Sequence, residues 1–570
     1  MTHKRSLITA FLIVVLLVAG ITPGIKAQNE NNFEISKNLE IFISMYNELN
    51  KNYVDEINPG ELMVEGIESM LATLDPYTVY IPESQIEDYR MITTGQYGGI
   101  GSLIHKNGKY VVISEPYEGF PAQKSGLKAG DRVLSINGED MVDKPSDEVS
   151  KFLKGQPGTS ITVVVERDGL NDPVEFEIER ENIKIKDIPY YGMLDGNIAY
   201  IKLTGFTQQA GAKVKDAYVD LKNNHEVEGV ILDLRNNGGG LLAEAVNVTN
   251  IFVDKGELVV STKGRLKERN NEHHTRFGAI DTKVPLVVLV NAQSASASEI
   301  VAGAIQDMDR GVILGQRSFG KGLVQNVVPL SYNSQMKITV AKYYIPSGRC
   351  IQAIDYSHKD EDGYFTKIPD SLVNEFQTNN GRLVYDGGGI DPDIKLDPVR
   401  YSRILTSLFT KFLIFDYATL YVREHPEIAA PEDFRITDEI YNDFVAFLSD
   451  KEYDYTTACE EKLTELKKSA SSEGSFDAIE EQFNALKKVM EHNKEEDLIT
   501  HKAEISLLLK MEIVSRYYYQ EGKIRASLEN DPEIAKALEI LEDPATYHSI
   551  LDGSHAGGKA EQDSKDKKQG

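Results

Sequence analysis

The first pattern along the chain is an uncharged run, Leu7 to Ile21, preceded by Lys4 and Arg5 and broken by Pro23 and Gly24. Beyond it, Leu39, Ile41, Phe42, Met45, Tyr46 and Leu49 recur at helical spacing. Leu62 to Leu74 repeats that period until Asp75-Pro76 ends it. From Gly95 to about Arg180 the period shortens: Tyr110 to Ser114, Arg132 to Ile136 and Ile161 to Glu166 are β-rich runs between glycines, and Asn137-Gly138 is a hairpin-type turn. From Ile183 to Pro398, buried strands such as Val230 to Leu234 and Val287 to Val290 alternate with helical stretches, which predicts an α/β core. Residues 353–386 interrupt that core as a polar insertion. Tyr401 to Leu551 is amphipathic and helical, and Glu460 to Met490 alternates acidic and basic residues as a solvated helix face does. Asp552 to Gly570 holds no large apolar side chain and reads as a disordered tail. The expected architecture is multi-domain α+β. It comprises a leader over 1–27, an N-terminal helical region over 28–95, a small β-rich domain over 96–182, an α/β core over 183–398, a helical domain over 399–551 and a tail over 552–570.

Composition narrows the partners. The 570 residues need more than one core, and apolar and charged contents of 41% and 26% are those of folded globular protein. A net charge of −27 argues against nucleic acid, whose phosphates demand clustered Lys and Arg, and against an anionic membrane face. Cys350 and Cys459 are too few for a disulfide framework, and a Cys-His nucleophile at Cys350 has no recognisable partner motif. No CxxC, HExxH or EF-hand spacing supports a metal site. The N-terminal run, with Ile25-Lys26-Ala27 offering a small residue before a cut, has the layout of a secretory signal. It is short for a membrane span, which needs about 20 residues. The expectation is an exported protein starting near Gln28, or one that keeps the run as an N-terminal anchor.

Three segments carry candidate chemistry. Ser294-Ala295-Ser296-Ala297-Ser298-Glu299-Ile300 follows a buried strand and opens a helix. A plain helix start is one reading, since serine is a favoured N-cap. The other is catalysis, because the small neighbours leave the hydroxyls accessible and the free N–H groups of a helix N-terminus stabilise an oxyanion. Ser318-Phe319-Gly320-Lys321-Gly322-Leu323-Val324-Gln325 places one lysine between two glycines. An exposed turn lysine is the ordinary expectation, but Val312-Ile313-Leu314 before it and Leu323-Val324 after it point to burial. Desolvation penalises an ammonium, and a neutral amine is what a general base for a serine hydroxyl has to be. In an extended segment Lys321 and Gln325 share a face, so Gln325 can orient the amine. Asp233-Leu234-Arg235-Asn236-Asn237-Gly238-Gly239-Gly240 follows another buried strand. It lacks the Walker lysine and the GxGxxG of phosphate loops, which leaves an oxyanion loop or a packed structural turn.

These segments, together with Leu74-Asp75-Pro76-Tyr77-Thr78 and Tyr97-Gly98-Gly99-Ile100-Gly101, resemble in order and spacing the motifs of the carboxyl-terminal processing peptidases, or tail-specific proteases, over about residues 35–395. The resemblance implies Ser296 as nucleophile, Lys321 as general base and Gln325 as the residue that orients the lysine; the residue pattern alone does not choose among Ser294, Ser296 and Ser298. It implies oxyanion donors among the N–H groups of Gly239 or Gly240 and of Ala297. Asp307 belongs to the family motif, yet along a straight helix from Ala297 it lies ~16 Å away, which predicts a structural or gating role. The β-rich segment resembles a PDZ domain. Gly98, Gly99, Ile100 and Gly101 would hold a peptide carboxylate, and Ser102, Leu103 and Ile104 would be the edge strand that the peptide extends.

The function so implied is that of an exported serine endopeptidase, in a bacterial periplasm, that takes protein or peptide substrates with free apolar C-termini. It works through an acyl-enzyme, needs no cofactor or metal, and has an active site that PDZ docking can assemble. One rival is a PDZ scaffold on an inactive protease fold, against which the intact Ser296, Lys321 and Gln325 set speaks. The other is a Ser-Lys hydrolase of non-peptide substrates, against which the PDZ segment speaks. The region beyond Tyr401 is a helical extension; homo-oligomerisation, capping of the active site and binding of an activator or adaptor protein all fit its pattern.

Overall fold

The computed structural model describes residues 32–555 apart from 361–362 and 491–493, so the expected leader and residues 556–570 of the expected tail lie outside the described residues. The chain divides into two compact units, one ending at Tyr80 and one beginning at Ile81. In the first, a helix over 32–52 precedes a helix over Pro59–Leu71. Asn58 caps the second by accepting the Gly60 and Glu61 N–H groups, and Pro59 sits in its first turn, where the missing donor costs nothing. The Leu74–Thr78 motif is an Asx turn in which Asp75 accepts the Tyr77 and Thr78 N–H groups, both at 2.8 Å.

In the second unit, strands Ser102–Asn107, Tyr110–Pro116, Arg132–Ile136, Ser160–Glu166 and Val174–Glu179 pair antiparallel in that order. The period-two pattern is realised: Ile161, Val163 and Val165 point inward and join Val111, Ile113, Val133 and Ile136 in one core. Asn137-Gly138 turns with φ of 52° and 81°, the positive pair that a type I′ hairpin requires. Ser102–Asn107 stands at one edge of this sheet.

The central sheet runs Tyr190–Leu194, Ile198–Lys202, Gly229–Asp233, Leu286–Val290, Val312–Gly315 and Ile394–Lys395, with every neighbouring pair after the first parallel. Its middle strands are buried along their whole length, as strands covered on both faces must be. Helices Ala210–Asn224, Leu242–Phe252 and Ala297–Asp307 cover one face. A second, antiparallel array pairs Leu323–Pro329 with Gln335–Tyr344 and the latter with Leu258–Gly264. The polar insertion forms two small hairpins, Ile354–Lys359 with Phe365–Lys367 and Glu375–Gln377 with Leu383–Tyr385.

The helical region expected over 399–551 divides. Helices Arg403–Thr410, Leu413–Glu424, Asp438–Phe447 and Lys502–Leu528 build a core of their own around Leu408, Tyr417, Phe444, Leu509 and Ile513. The last two, Pro532–Glu542 and Pro544–Leu551, instead cover the other face of the central sheet. There Ile534, Ala537, Ile540, Leu541 and Tyr547 pack on Ile198, Tyr200, Ile231, Val287 and Leu314. The reason is the sheet: its second apolar face needs a cover, and the helices that connect its own strands lie on the first. Among the described residues, no helix is long and apolar enough to cross a membrane.

The small β domain rests on this helical region. His105, on its edge strand, stacks on Phe412 with ring centroids 4.1 Å apart and meets Phe415 edge-on at 4.9 Å. The Gln123 amide donates to the Tyr519 hydroxyl at 2.8 Å, at a kink where Tyr519 takes φ of 53°. A cavity of about 910 Å³ remains between them, with Asp131, Arg132, Asp168, Asp416 and Arg516 in its wall. Burial pushes the Asp416 carboxyl up to about 6, against opposition from Arg132.

Replacing Ile540 by alanine is expected to destabilise the central sheet by about 2–5 kcal/mol, read as a lower urea midpoint, because a fully buried side chain leaves a cavity. Asp416 holds its proton more tightly folded than unfolded. Its contribution to stability is therefore present below its ordinary value of 3.8 and lost as pH rises through about 6. Asp416→Asn is expected to raise the thermal midpoint at about pH 8 and to leave it unchanged at about pH 4.

Candidate active site

The three chemistry-bearing segments leave the carboxyl ends of three adjacent parallel strands. The glycine loop follows Gly229–Asp233, the serine segment follows Leu286–Val290, and the lysine segment follows Val312–Gly315. That edge is where open α/β sheets gather their ligand-binding loops.

The serine segment turns into its helix at Ser296, which takes φ of 56° and ψ of −111° and remains partly exposed. Positive φ in a residue with a side chain is strained and persists only where the surroundings hold it. Its two neighbours have other work. Ser294 is fully buried and donates to the Leu234 carbonyl at 2.8 Å; Ser298 is fully buried and donates to the Asn237 carbonyl at 2.8 Å. Both hydroxyls weld the serine turn to the glycine loop.

Asn237 is the other half of the weld. Its carbonyl also accepts the Ala295 N–H at 3.0 Å, its amide donates to Leu203 O, and its Oδ1 accepts the Gly239 N–H at 2.9 Å. Gly239 has φ of 100°, and a Cβ there would lie 2.8 Å from Ser296 Cβ and 2.9 Å from the Ala297 nitrogen. No other residue permits so close an approach. Gly240 is exposed, and Ala297 is the first helical residue, whose N–H has no intrahelical partner by geometry.

Glu299 is fully buried, and its carboxylate joins the serine and lysine segments. Oε2 accepts the Ser296 N–H at 2.8 Å and the Lys321 N–H at 2.9 Å; Oε1 accepts the Ser318 hydroxyl at 2.6 Å and the Gly320 N–H at 2.7 Å. Burial pushes this carboxyl up, and the four donors pull the other way. Tyr343, 1% exposed, bridges the same two residues from the opposite side: its hydroxyl lies 2.6 Å from the Lys321 carbonyl and 3.2 Å from the Ser296 carbonyl. Glu299 is three residues after Ser296, a capping-box spacing that could have flagged it; Tyr343 carries no such signal in the sequence.

Two expectations need correction. Lys321 lies in the loop before the strand, which begins at Leu323, and a bulge falls between Val324 and Gln325. The extended alternation invoked for Lys321 and Gln325 therefore does not hold. Gln325 faces the neighbouring strand and donates to Thr339 Oγ1 at 3.3 Å. Likewise, Gly98 and Gly99 are not in a free loop: Gln96–Gly99 pairs with Glu181–Lys184, and a Cβ on Gly98 would lie 2.1 Å from the Gly155 carbonyl. Ile100 and Gly101 connect that strand to the edge strand that contains Ser102 and Leu103, with Leu103 exposed.

Asp307 ends the serine helix and is buried against Arg349, which donates to it at 2.8 Å, while its other oxygen accepts the Ser347 N–H at 2.9 Å. Burial pushes its carboxyl up, opposed by Arg349. It anchors the chain around Arg349 at the end of the helix remote from Ser296. Among the described residues, no three His, Cys, Asp or Glu side chains converge as metal ligands.

A parallel sheet with a strained serine at a helix N-terminus, beside a glycine loop and a lysine loop, defines a serine-type hydrolase architecture. The family model described as Peptidase family S41 matches residues 197–358. One described as PDZ domain matches 112–167, and one described as Probable PDZ-protease, C-terminal helical domain, matches 404–541. A carboxy-terminal-processing protease of Bartonella bacilliformis is 35% identical over 353 residues, 60% of this chain and 80% of its own length. A probable CtpA-like serine protease of Staphylococcus epidermidis is 33% identical over 323 residues, 56% of this chain and 64% of its own. Among solved structures, a photosystem II D1 C-terminal processing protease is 29% identical, covering 63% of this chain and 92% of that one, with a TM-score of 0.35. The chain belongs to the carboxy-terminal-processing proteases, serine-type peptidases of family S41, and it carries a PDZ domain.

Glu299→Gln keeps the volume but leaves the two donors on one of its oxygens facing an amide NH2 group. It is expected to cost about 1–3 kcal/mol, seen as a lower thermal midpoint, and to depress peptidase turnover at least about tenfold.

Proposed function

We propose that this peptidase is exported and recognises the free C-terminal end of partly unfolded or tagged proteins through its PDZ domain, cutting nearby with a Ser296–Lys321 dyad. The observation that carries the reading is the treatment of the three serines. Ser294 and Ser298 spend their hydroxyls on buried carbonyls, while Ser296 stays partly exposed in a strained turn whose backbone shares Glu299 and Tyr343 with Lys321.

In the proposed reaction the Ser296 Oγ–carbon bond forms as the hydroxyl proton passes to Lys321 Nζ. The tetrahedral oxyanion is met by the Ala297 N–H and by the glycine loop, where Gly240 is the residue whose N–H is not already donated to Asn237. Gly239 contributes close approach to Ser296. The carbon–nitrogen bond then breaks, the leaving amine takes the proton from Lys321, and water resolves the acyl-enzyme by the reverse transfer. Gln325 is assigned the orienting role that the family resemblance implies. The PDZ domain is taken as 96–182 and the peptidase core as 183–398. The peptide would add as a strand beside Ser102–Asn107, with its carboxylate at Ile100 and Gly101, the residues between the paired glycines and the edge strand. The uncharged N-terminal run supports export to a periplasm. An activator or adaptor, or a second copy of the chain, would act through the helical region or the N-terminal unit.

The test uses residues 28–570, with Ser296→Ala and Lys321→Ala, on one unfolded peptide that ends in apolar residues, as free acid and as C-terminal amide. The parent is expected to cleave the acid at least about tenfold faster than the amide, with both variants at least about 10³-fold slower. Equal cleavage of acid and amide removes the PDZ argument, and full activity in either variant removes the dyad.

A further inference from the structure

Arg235 begins the glycine loop, and its guanidinium is gripped from two sides. Nε and one terminal nitrogen donate to both oxygens of Asp233, at 3.0 and 2.7 Å. The other terminal nitrogen lies 2.7 Å from Asp531 and 2.5 Å from Glu533. Lys202 closes the set on Asp233 at 2.9 Å. These groups are largely buried, with Asp233 wholly so and the Arg235 side chain 12% exposed. Asp531 also caps the helix Pro532–Glu542, accepting the Glu533 and Ile534 N–H groups.

The two carboxylates are not needed to dock their helix. Ile534, Ala537, Ile540 and Leu541 already seat it on the central sheet. Buried ion pairs add little net stability, because desolvation consumes most of the Coulombic gain, and what they supply well is geometry. The geometry at stake is that of the glycine loop. Past Arg235 it has few apolar anchors: Asn236, with φ of 62°, and Gly238 and Gly240 are all exposed, yet Gly239 must stay in contact with Ser296. We propose that Asp531 and Glu533 are positioning residues for peptide cleavage: by holding Arg235 they fix the glycine loop against Ser296. This rests on the dyad reading given above. It makes a part of the chain nearly 300 residues downstream, at a separation of 298, a component of the active site.

The test compares the purified protein with Glu533→Gln and with Asp531→Asn, which keeps a capping oxygen, and with the two combined. Amide hydrogen exchange over residues 234–241 reads the loop without needing turnover. It is expected to speed up at least about tenfold in the double variant while the central strands stay protected. With a cleavable peptide, kcat is expected to fall about 10–100-fold at nearly constant KM. In a cycle with Arg235→Gln, adding Glu533→Gln is expected to cost nothing further. Unchanged exchange over 234–241, or losses that add independently of Arg235, overturns the proposal. Faster loop exchange in the double variant, with a parent protein that cleaves no peptide, upholds the positioning role and sinks the dyad reading instead.

Discussion

A carboxylate shut off from water survives in a fold only where donors surround it, and those around Glu299 come from two different loops. Everything else at the site depends on that constraint. The Ser296 N–H reaches Glu299 by capping-box spacing, and the Gly320 and Lys321 N–H groups reach it because the lysine loop folds back over the helix start. Tyr343 then fixes the remaining freedom by touching both carbonyls. Ser296 and Lys321 are thus spaced by backbone contacts to Glu299 and Tyr343.

The site also depends on how the central sheet is covered. A parallel sheet offers its loops at one end only if both faces are sealed, and here one seal comes from helices between the strands and the other from the chain's last two helices. Tyr547 goes further and accepts the Leu286 N–H at 3.0 Å, finishing the edge of the strand that leads to Ser296. At the far end of the serine helix a buried polar network of Gln306, Asp307, Arg349, Arg382 and Asp393 ties in the insertion. Asp307 serves this network.

Much of the fold was legible in the chain because the patterns were local. The alternation in Ile161 to Glu166, the Asn137-Gly138 turn and the buried runs at Val230 and Val287 each determine their own element. What was hidden depended on distant partners. The period in Pro532–Glu542 announces an amphipathic helix but not which surface it seeks. Neither the start of the strand after Lys321 nor the bulge before Gln325 leaves a mark in the sequence, so simple alternation does not relate the two side chains. That Ser294 and Ser298 donate to buried carbonyls is likewise invisible locally, because the Leu234 acceptor lies in the glycine loop 60 residues before Ser294.

The peptidase core is discontinuous along the chain: Ile198 and Leu551 belong to one apolar cluster. A polypeptide made from its N-terminus therefore carries an open-faced sheet until residues 532–551 have emerged. On the positioning role proposed for Asp531 and Glu533, the glycine loop is not held until those two carboxylates have been made. Synthesis itself would thus impose a delay, and a chain cut short before Asp531 lacks both carboxylates that grip Arg235 from the far side of the sheet.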